Sequence, residues 1–322
     1  MPAGDTWTSS DENADLLLLP PQRWHEVLPE LIHCWSENER QQQLDRLIAA
    51  AEAGQFDHFR LYAKVEGEKI CVAMLVELLT GNVANCWPPA VIRTNLTDLA
   101  QEKRNLAQLG ATIRAPLARE HYPLVQSLID SSATEHAERL AATGFVHAGR
   151  LAFFGAATAR LLTRSNLIDA MLTLEPASSL ARGDLEALIE STYEQSLDAP
   201  LIEGIRATRD VLTGYAAVGT TGESLWHIAR NSAGQIVGCL LLAQHTSVSQ
   251  LELVYVGVVP QHRGQRYGQA LTQQALAIAR DRQLGSVVLA VDLANDPAIA
   301  MYAACGFVQL AARDLWILKT NP

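Results

Sequence analysis

The stretch that decides the fold is LELVYVGVVPQHRGQRYGQA, residues 251–270. Five of its first nine residues are Val or Tyr, which favours a β-strand, and Pro260 ends that strand. From Gln269 to Gln283 the apolar residues recur at helical spacing, and Gly285 supplies the stop. A short polar loop with two glycines therefore connects a buried strand directly to a helix.

The rest of the second half also alternates strands and helices. The turn residues Ser232-Ala233-Gly234 separate two apolar segments, and Asn295-Asp296-Pro297 is typical of a helix start. The predicted elements are a strand at 171–174, helices at 184–195 and 205–215, strands at 225–230, 236–243, 251–259 and 286–291, a short helix ending at Gly306, and a strand at 315–318.

The first half repeats this order. LIDSSATEHAERLAATGF (128–145) and AVDLANDPAIAMYAACGF (290–307) align without a gap, and Asp130 falls on Asp292. Upstream, the matching predicted elements are a strand at 16–19, helices at 22–35 and 39–53, and strands at 58–65 and 70–79. The sequence therefore predicts a tandem duplication.

The polar loop resembles a motif of the GNAT superfamily of N-acetyltransferases. The family has Arg/Gln-x-x-Gly-x-Gly/Ala here, and its backbone amides cradle the pyrophosphate of coenzyme A. Arg263-Gly264-Gln265-Arg266-Tyr267-Gly268 matches this motif, except that Arg266 stands where the family usually has its first glycine. Without the resemblance, the loop reads as an ordinary polar turn. The resemblance implies that acetyl-CoA is the co-substrate, held by Val256, Gly257, Val258, Arg263, Gly264, Gln265, Arg266, Tyr267, Gly268, Gln269 and Asn295.

A second pattern, N-x-x-A-x-x-x-Y-x-x-x-G-F, begins at Asn295 and contains Tyr302. It resembles the family's penultimate helix, whose tyrosine lies beside the coenzyme A sulfur. The resemblance implies that Tyr302 donates a proton to the leaving thiolate. The alternative is a core aromatic residue.

Glu252 opens the central strand, where the histone-acetyltransferase branch of the family has a glutamate that acts as general base. An ammonium group cannot attack until it loses a proton, so the reaction needs a base or a water chain. Regular alternation would place Glu252 on one face with Val254, Val256 and Val258. A strand-end charge or a structural ion pair is the equally weighted alternative.

The first half lacks these features. Leu140 stands at the position of Tyr302, the strand equivalent 82–92 contains Pro88-Pro89, and no phosphate-loop motif follows it. We expect this half to have lost the acetyl-CoA chemistry and to serve a structural or substrate-shaping role.

The predicted fold class is α/β (α+β): two GNAT-like domains, each a mixed, mostly antiparallel sheet flanked by helices. We expect a loose polar tail at 1–15, a degenerate domain at 16–156, a linker at 157–168 and a catalytic domain at 169–322. The tandem layout resembles that of the mycothiol synthases.

The predicted reaction is direct transfer of acetyl to a primary amine of a small molecule in a ternary complex. The segment SLDAPLIEGIR (196–206) lies where the family shapes its acceptor pocket, so Asp198, Glu203 and Arg206 are candidate substrate contacts. A solvated loop is the other interpretation of these three residues. A protein lysine or N-terminal amine is the alternative acceptor, and a non-catalytic acyl-CoA-binding protein is the alternative class.

Composition narrows the remaining possibilities. The 322-residue chain is 48% hydrophobic and 19% charged, and its 25 basic against 35 acidic residues give a net charge of −10, without the basic surplus of a nucleic-acid binder. No apolar run approaches the ~18 residues of a membrane span, and the acidic start is unlike a secretory signal. The five scattered cysteines (Cys34, Cys71, Cys86, Cys239, Cys305) suggest no zinc site and no disulfide framework. We therefore expect a cytoplasmic protein without metal, nucleic-acid or membrane partners.

Overall fold

The structure is a computed structural model that describes residues 16–31, 47, 50, 54–55, 57–92, 98–158 and 171–321. The tail expected at 1–15 lies outside the described residues. So do the helix expected at 39–53, apart from residues 47 and 50, and most of the linker expected at 157–168.

The described residues divide into two compact units. The first contains the residues up to Leu79, Val83–His147 and the residues from Trp316 onward. The second contains Thr80–Asn82 and Ala148–Leu315. The domain limits expected from the sequence stay a prediction beside these units.

The first unit contains the six strands β1 to β6 and the associated helices among its described residues. The strand order is β1-β2-β3-β4-β6, with β5 against β3, and only β4 and β6 run parallel. The elements are β1 Leu16–Leu18, a 3-10 helix Pro21–Glu26, α1 Leu28–Leu31, β2 Phe59–Glu66, β3 Lys69–Leu79, β4 Val83–Cys86, β5 Ala90–Val91, α2 Leu99–Arg119, β6 Leu124–Ile129 and α3 Thr134–Ala142, followed by β7 Val146–Ala157.

The described strands of the second unit follow the order β7-β12-β11-β10-β9-β8; of these neighbours, β11 and β12 pair in parallel and the others pair antiparallel. The predicted mixed, mostly antiparallel sheet is confirmed in both units. The remaining elements are β8 Thr173–Pro176, α4 Arg182–Tyr193, α5 Thr208–Ala216, β9 Trp226–Arg230, β10 Ile236–His245, β11 Gln250–Val258, α6 Tyr267–Asp281, β12 Ser286–Asp292, α7 Asp296–Ala304 and β13 Val308–Lys319, with 3-10 helices at Ala177–Ser179, Gly222–Leu225, Thr246–Val248 and Pro260–His262.

The duplication is visible in the element boundaries. β6, α3 and β7 each begin 162 residues before β12, α7 and β13, which is the spacing of the two aligned sequence passages. The parallel pair of each unit also joins corresponding strands, β4 with β6 and β11 with β12. The two units therefore share one plan.

Three sequence expectations are wrong in detail. The expected strand at 171–174 is β8, shifted to Thr173–Pro176, and the closing strand β13 begins at Val308 and is much longer than 315–318. In the described part of the helix expected over 22–35, a 3-10 helix over Pro21–Glu26 precedes the α-helical residues Leu28–Leu31, and residues 32–35 lie outside the described residues. Pro29 disfavours one continuous α-helix through this segment, because it has no N–H to donate to the carbonyl four residues earlier.

The sheet of the second unit is covered on both faces. α6 and α7 pack on one face in a core with Leu240 and Leu289, and α4 and α5 pack on the other around Trp226. The four described cysteines are free and buried, while Cys34 lies outside the described residues. No helix among the described residues is long and apolar enough to cross a membrane.

Candidate active site

A cavity of about 540 Å³ lies in the second unit where β11 and β12 separate. It is lined by β11, the loop after α4, the turn that begins α6, the end of β12 and α7. The predicted site residues that line it are Asp198, Val256, Gly257, Val258, Arg263, Gly264, Arg266, Tyr267, Gly268, Gln269, Asn295 and Tyr302. Glu203, Arg206, Glu252 and Gln265 are not among its lining residues.

The cavity exists because the parallel strands stay paired for only three residues. β11 pairs with β12 from Gln250 to Glu252, although β11 continues to Val258. β12 continues beyond this point paired with β7 as far as Asp292. Among the described residues, no strand therefore neighbours the outer edge of β11 beyond Glu252.

Unpaired backbone groups face this gap. The N–H of Val259 donates to the carbonyl of Val237 on the β10 side at 3.0 Å. The backbone N–H and C=O groups of successive residues alternate sides along an antiparallel strand. Those of Gly257 therefore also face β10, whereas those of Val256 and Val258 face away from it. The N–H groups of Val256 and Val258 thus face the cavity as hydrogen-bond donors.

A β-bulge interrupts the pairing of β11 with β10. Leu241 pairs with Tyr255, but the following Leu242 pairs with Leu253, so Val254 has no residue opposite it. An extra residue of this kind reverses the side-chain alternation of the strand.

The bulge changes the face on which Glu252 lies. Leu251 before the bulge and Val256 and Val258 after it all pack in the core formed with α6 and α7. Glu252 therefore lies on the opposite face. The expectation that Glu252 shares a face with Val254, Val256 and Val258 is wrong, because Val254 breaks the regular alternation.

Glu252 has a partner away from the cavity. Its Oε2 atom lies 2.7 Å from Nε2 of His245, and each side chain is about one-third exposed (34% and 31%). The geometry is that of the ion pair weighed as its alternative, and the base role stays a prediction.

The start of α6 presents donors to the cavity. The N–H of Ala270 makes the first helical bond, to the carbonyl of Arg266 at 3.0 Å, so the amides of Tyr267, Gly268 and Gln269 lie in the turn that has no internal acceptors. The first turn contains no acidic residue. Together with the helix dipole, these amides suit an anion.

Arg266 adopts the left-handed conformation that the family's glycine would take. Its φ is 63°, as is typical of glycine, and it forms the N-cap of α6 without a side-chain cap bond. The substitution therefore retains the loop geometry at a conformational cost of roughly 1–2 kcal/mol. The Arg266 side chain is exposed.

Arg263 makes hydrogen bonds to the backbone that the motif did not predict. Its Nε donates to the carbonyl of Val258 at 3.1 Å, and one terminal nitrogen donates to the carbonyl of Thr192 at 3.0 Å. The guanidinium group thus ties the end of β11 to the last turn of α4. Two of its donors are used before any ligand binds.

Tyr302 lies on α7, which begins as predicted at the N-cap Asn295, whose side chain accepts from the N–H of Ala298. The Tyr302 side chain is buried yet lines the cavity. Burial, and then the nearby Asp198, raise the pKa of its phenol. The hydroxyl therefore stays protonated at neutral pH.

The loop after α4 is hydrogen-bonded to the end of β12. The N–H of Asp292 donates to Oδ1 of Asp198 at 2.8 Å, and the N–H of Ala199 donates back to Oδ2 of Asp292 at 3.2 Å. Asp292 is a buried carboxylate that the site prediction missed. Its recurrence as Asp130 in the first half was the available signal, because both stand at the end of the same strand.

The other two residues predicted to contact the acceptor lie elsewhere. Glu203 is exposed. Arg206 donates to the carbonyl of Gly81 at 3.0 Å, and burial lowers the pKa of its guanidinium group. Among the three candidates, only Asp198 lines the cavity.

The first unit is charged differently at the corresponding helix start. The N-cap Asp98 of α2 accepts from the N–H of Gln101 at 2.8 Å, and Glu102 lies in the first turn. Glu66 adds a carboxylate that accepts from the side chains of Gln101 and Asn105. These carboxylates would repel a phosphate.

The helix corresponding to α7 also differs. Leu140, 162 residues before Tyr302, is completely buried in the core. Arg139, at the position of Met301, donates to the carbonyl of Pro89 at 3.3 Å and pairs with Glu135. A side chain of the first unit itself thus binds the backbone just after β4.

Comparisons with known proteins place sequence similarity in the part of the chain that forms this cavity. The model of the Acetyltransferase (GNAT) family matches residues 188–307. N-acetyltransferase 8 of Mus musculus is 33% identical over 102 residues, covering 30% of this chain and 43% of that protein. A mycothiol acetyltransferase of Catenulispora acidiphila is 39% identical over 67 residues, or 21% of each chain. The alignments thus span less than half the length of these curated relatives.

A solved structure extends the likeness of fold to both units. A GCN5-related N-acetyltransferase from Sphaerobacter thermophilus has a TM-score of 0.54 at 16% identity, over 95% of this chain and 96% of that one.

The two loop arginines should differ in their effect on stability. Arg263→Gln removes two hydrogen bonds from a charged donor, so we expect it to lower the free energy of unfolding by about 2 kcal/mol. Arg266→Gln at the exposed position should change it by less than about 0.5 kcal/mol. Urea denaturation of both variants measures the difference, and equal losses would contradict the role assigned to Arg263.

Proposed function

We propose that the second unit, whose residues 188–307 are a GNAT-family acetyltransferase domain, transfers acetyl from acetyl-CoA to a primary amine of a small molecule. The observation that carries this proposal is one cavity lined by the open edge of β11, the start of α6 and Tyr302. These three features suit the amide-containing arm, the pyrophosphate and the thioester end of one ligand.

The strand edge suits the pantetheine arm. An extended chain containing amides can pair with an open strand edge as an additional strand does. Val256 and Val258 offer the donors for this pairing. Gly257 lets Thr192 pack directly on the backbone of β11, because a Cβ atom at position 257 would lie 2.7 Å from Oγ1 of Thr192.

The start of α6 suits the pyrophosphate. Amides in the first turn bind anions because they lack internal acceptors and lie at the positive end of the helix dipole. Gly268 keeps this turn close to α7, since a Cβ atom there would lie 3.0 Å from Sδ of Met301. The exposed Arg266 guanidinium would add positive charge.

The chemistry assigned to the cavity is direct attack of the amine on the thioester. A backbone N–H on the β11 edge would stabilise the negative charge that develops on the carbonyl oxygen. Tyr302 would donate its hydroxyl proton to the departing sulfur. Its raised pKa keeps that proton in place, although it also makes the phenol a weaker acid.

The assignment of a small acceptor rests on the loop after α4, which lines the cavity beside the features assigned to acetyl-CoA. Leu197 and Asp198 line the same cavity of about 540 Å³ as Tyr302, and a volume within the usual range of small-molecule sites, roughly 300–1,000 Å³, leaves room beside acetyl-CoA only for a small amine.

A panel of amines with acetyl-CoA tests this function. We expect thiol release to depend on at least one of benzylamine, putrescine, glucosamine and cysteine, with an acetylated product detected by mass spectrometry. A lysine-containing peptide in the same panel tests the protein acceptor. Acetyl-CoA binding without amine-dependent thiol release would identify a non-catalytic binding protein instead.

We expect one equivalent of acetyl-CoA per chain by calorimetric titration, because the carboxylates at the start of α2 disfavour phosphate in the first unit. Arg266→Gln should weaken this binding about fivefold, as an exposed ion pair contributes up to ~1 kcal/mol. Arg209→Gln, on the exposed part of α5, is the control and should bind like the wild type. Two equal sites would contradict the proposal.

Tyr302→Phe keeps the ring and removes the proton donor. We expect kcat to fall about 100-fold, the low end for general acid catalysis because thiolate is a tolerable leaving group, with acetyl-CoA affinity unchanged. Tyr122→Phe in the first unit is the matched control. Wild-type turnover in Tyr302→Phe would show that the phenol serves only packing.

A further inference from the structure

The cavity contains one carboxylate among its described lining residues, that of Asp198. Proton removal from an ammonium acceptor requires a base that the acceptor can reach. Glu252 is turned to the other face of β11 and bound to His245, so it does not meet this requirement.

The backbone holds Asp198 in place. The N–H of Asp292 fixes one carboxylate oxygen at 2.8 Å, and the returning bond from Ala199 fixes the residue that follows. Ala199 has a φ of 43°, which is unfavourable for a residue with a side chain and persists only where surrounding contacts enforce it. Asp292 is itself held by the N–H of Ala294 at 2.9 Å.

The surroundings of Asp198 leave it able to accept a proton. Four groups from three elements face it: Asp292 at the end of β12, Asn295 at the cap of α7, Tyr302 on α7 and Tyr215 on α5. A carboxylate can accept about four hydrogen bonds, so the contacts from Asp292 and Asn295 do not exhaust it. Although Asp198 is an exposed residue, desolvation of its carboxylate and repulsion from Asp292 together raise its pKa, against the opposing hydrogen bonds from the backbone of Asp292 and the side chain of Asn295.

We propose that Asp198 accepts the proton of the acceptor ammonium group, so that the acceptor binds as a cation and reacts as a free amine beside Tyr302. This inference rests on the proposed acetyl transfer. It assigns the base to the loop after α4 instead of to the central strand.

The protons balance in this scheme. An ammonium N–H proton moves to the Asp198 carboxylate, and the freed nitrogen lone pair forms the C–N bond to the thioester carbonyl carbon. The C–S bond then breaks with its electron pair on sulfur. Tyr302 donates its hydroxyl proton to that sulfur and recovers a proton from the nitrogen. Asp198 releases its proton to solvent, so the products are the amide, the thiol and one proton.

The test is the pH profile of kcat/KM for Asp198→Asn, measured with the panel amine that the wild type acetylates fastest. We expect a loss of about 100-fold at pH 7 with unchanged acetyl-CoA affinity. The deficit should shrink about tenfold per pH unit as the pH rises toward the pKa of the amine, because the free amine then forms in solution. Asp198→Glu should recover part of the rate, and Glu194→Gln, an exposed charge removal outside the cavity, should match the wild type.

A deficit that stays constant with pH would overturn the proposal, since Asp198 would then only position the loop. A pH-dependent loss of kcat/KM in Glu252→Gln but not in Asp198→Asn would identify Glu252 on the central strand as the base. A wild-type chain that acetylates no amine would overturn the acetyl transfer itself. That outcome is distinguishable because the loss then appears without any substitution.

Discussion

The site depends on the separation of two parallel strands. β11 and β12 pair over three residues, and the remainder of β11 has β10 on one side and a cavity on the other. Backbone amides withdrawn from water need partners, so an open strand edge inside a domain is a constraint on whatever fills the gap. The proposed function satisfies it with the amides of the pantetheine arm. Arg263 stabilises the same opening, because it binds the carbonyls at the end of β11 and of α4.

The position of the chemistry follows from two local departures from regular structure. The bulge at Val254 reverses the side-chain alternation of β11. Val256 and Val258 therefore lie on the core face, and Glu252 lies on the opposite face. The left-handed Ala199 lets the loop after α4 exchange hydrogen bonds with Asp292 at the end of β12. The first departure puts Glu252 on the face opposite Val256 and Val258, and the second holds Asp198 at the cavity that Tyr302 also lines.

The first unit retains the duplicated fold without the features that we propose to bind acetyl-CoA. Its strands and helices follow the order of the second unit, and its parallel pair joins the corresponding strands. What differs is charge and side-chain volume. Carboxylates surround the start of α2 where α6 has none, Leu140 replaces Tyr302, and Arg139 binds the backbone carbonyl of Pro89. Packing is thus retained while the electrostatics that favour a phosphate are reversed.

The sequence by itself determined most strands and helices of the second half, the tandem duplication and the two motifs, since local periodicity, capping residues and glycine-rich turns act over a few neighbours. It therefore placed Asn295 at a helix cap and Tyr302 on the following helix. The tertiary structure alone decided which side chains share the cavity. A one-residue bulge, invisible in the apolar pattern of residues 251–259, turned Glu252 away. A bond across 94 residues placed Asp198 at the cavity, and one across 71 residues used Arg263 internally, because long-range hydrogen bonds leave no local signal.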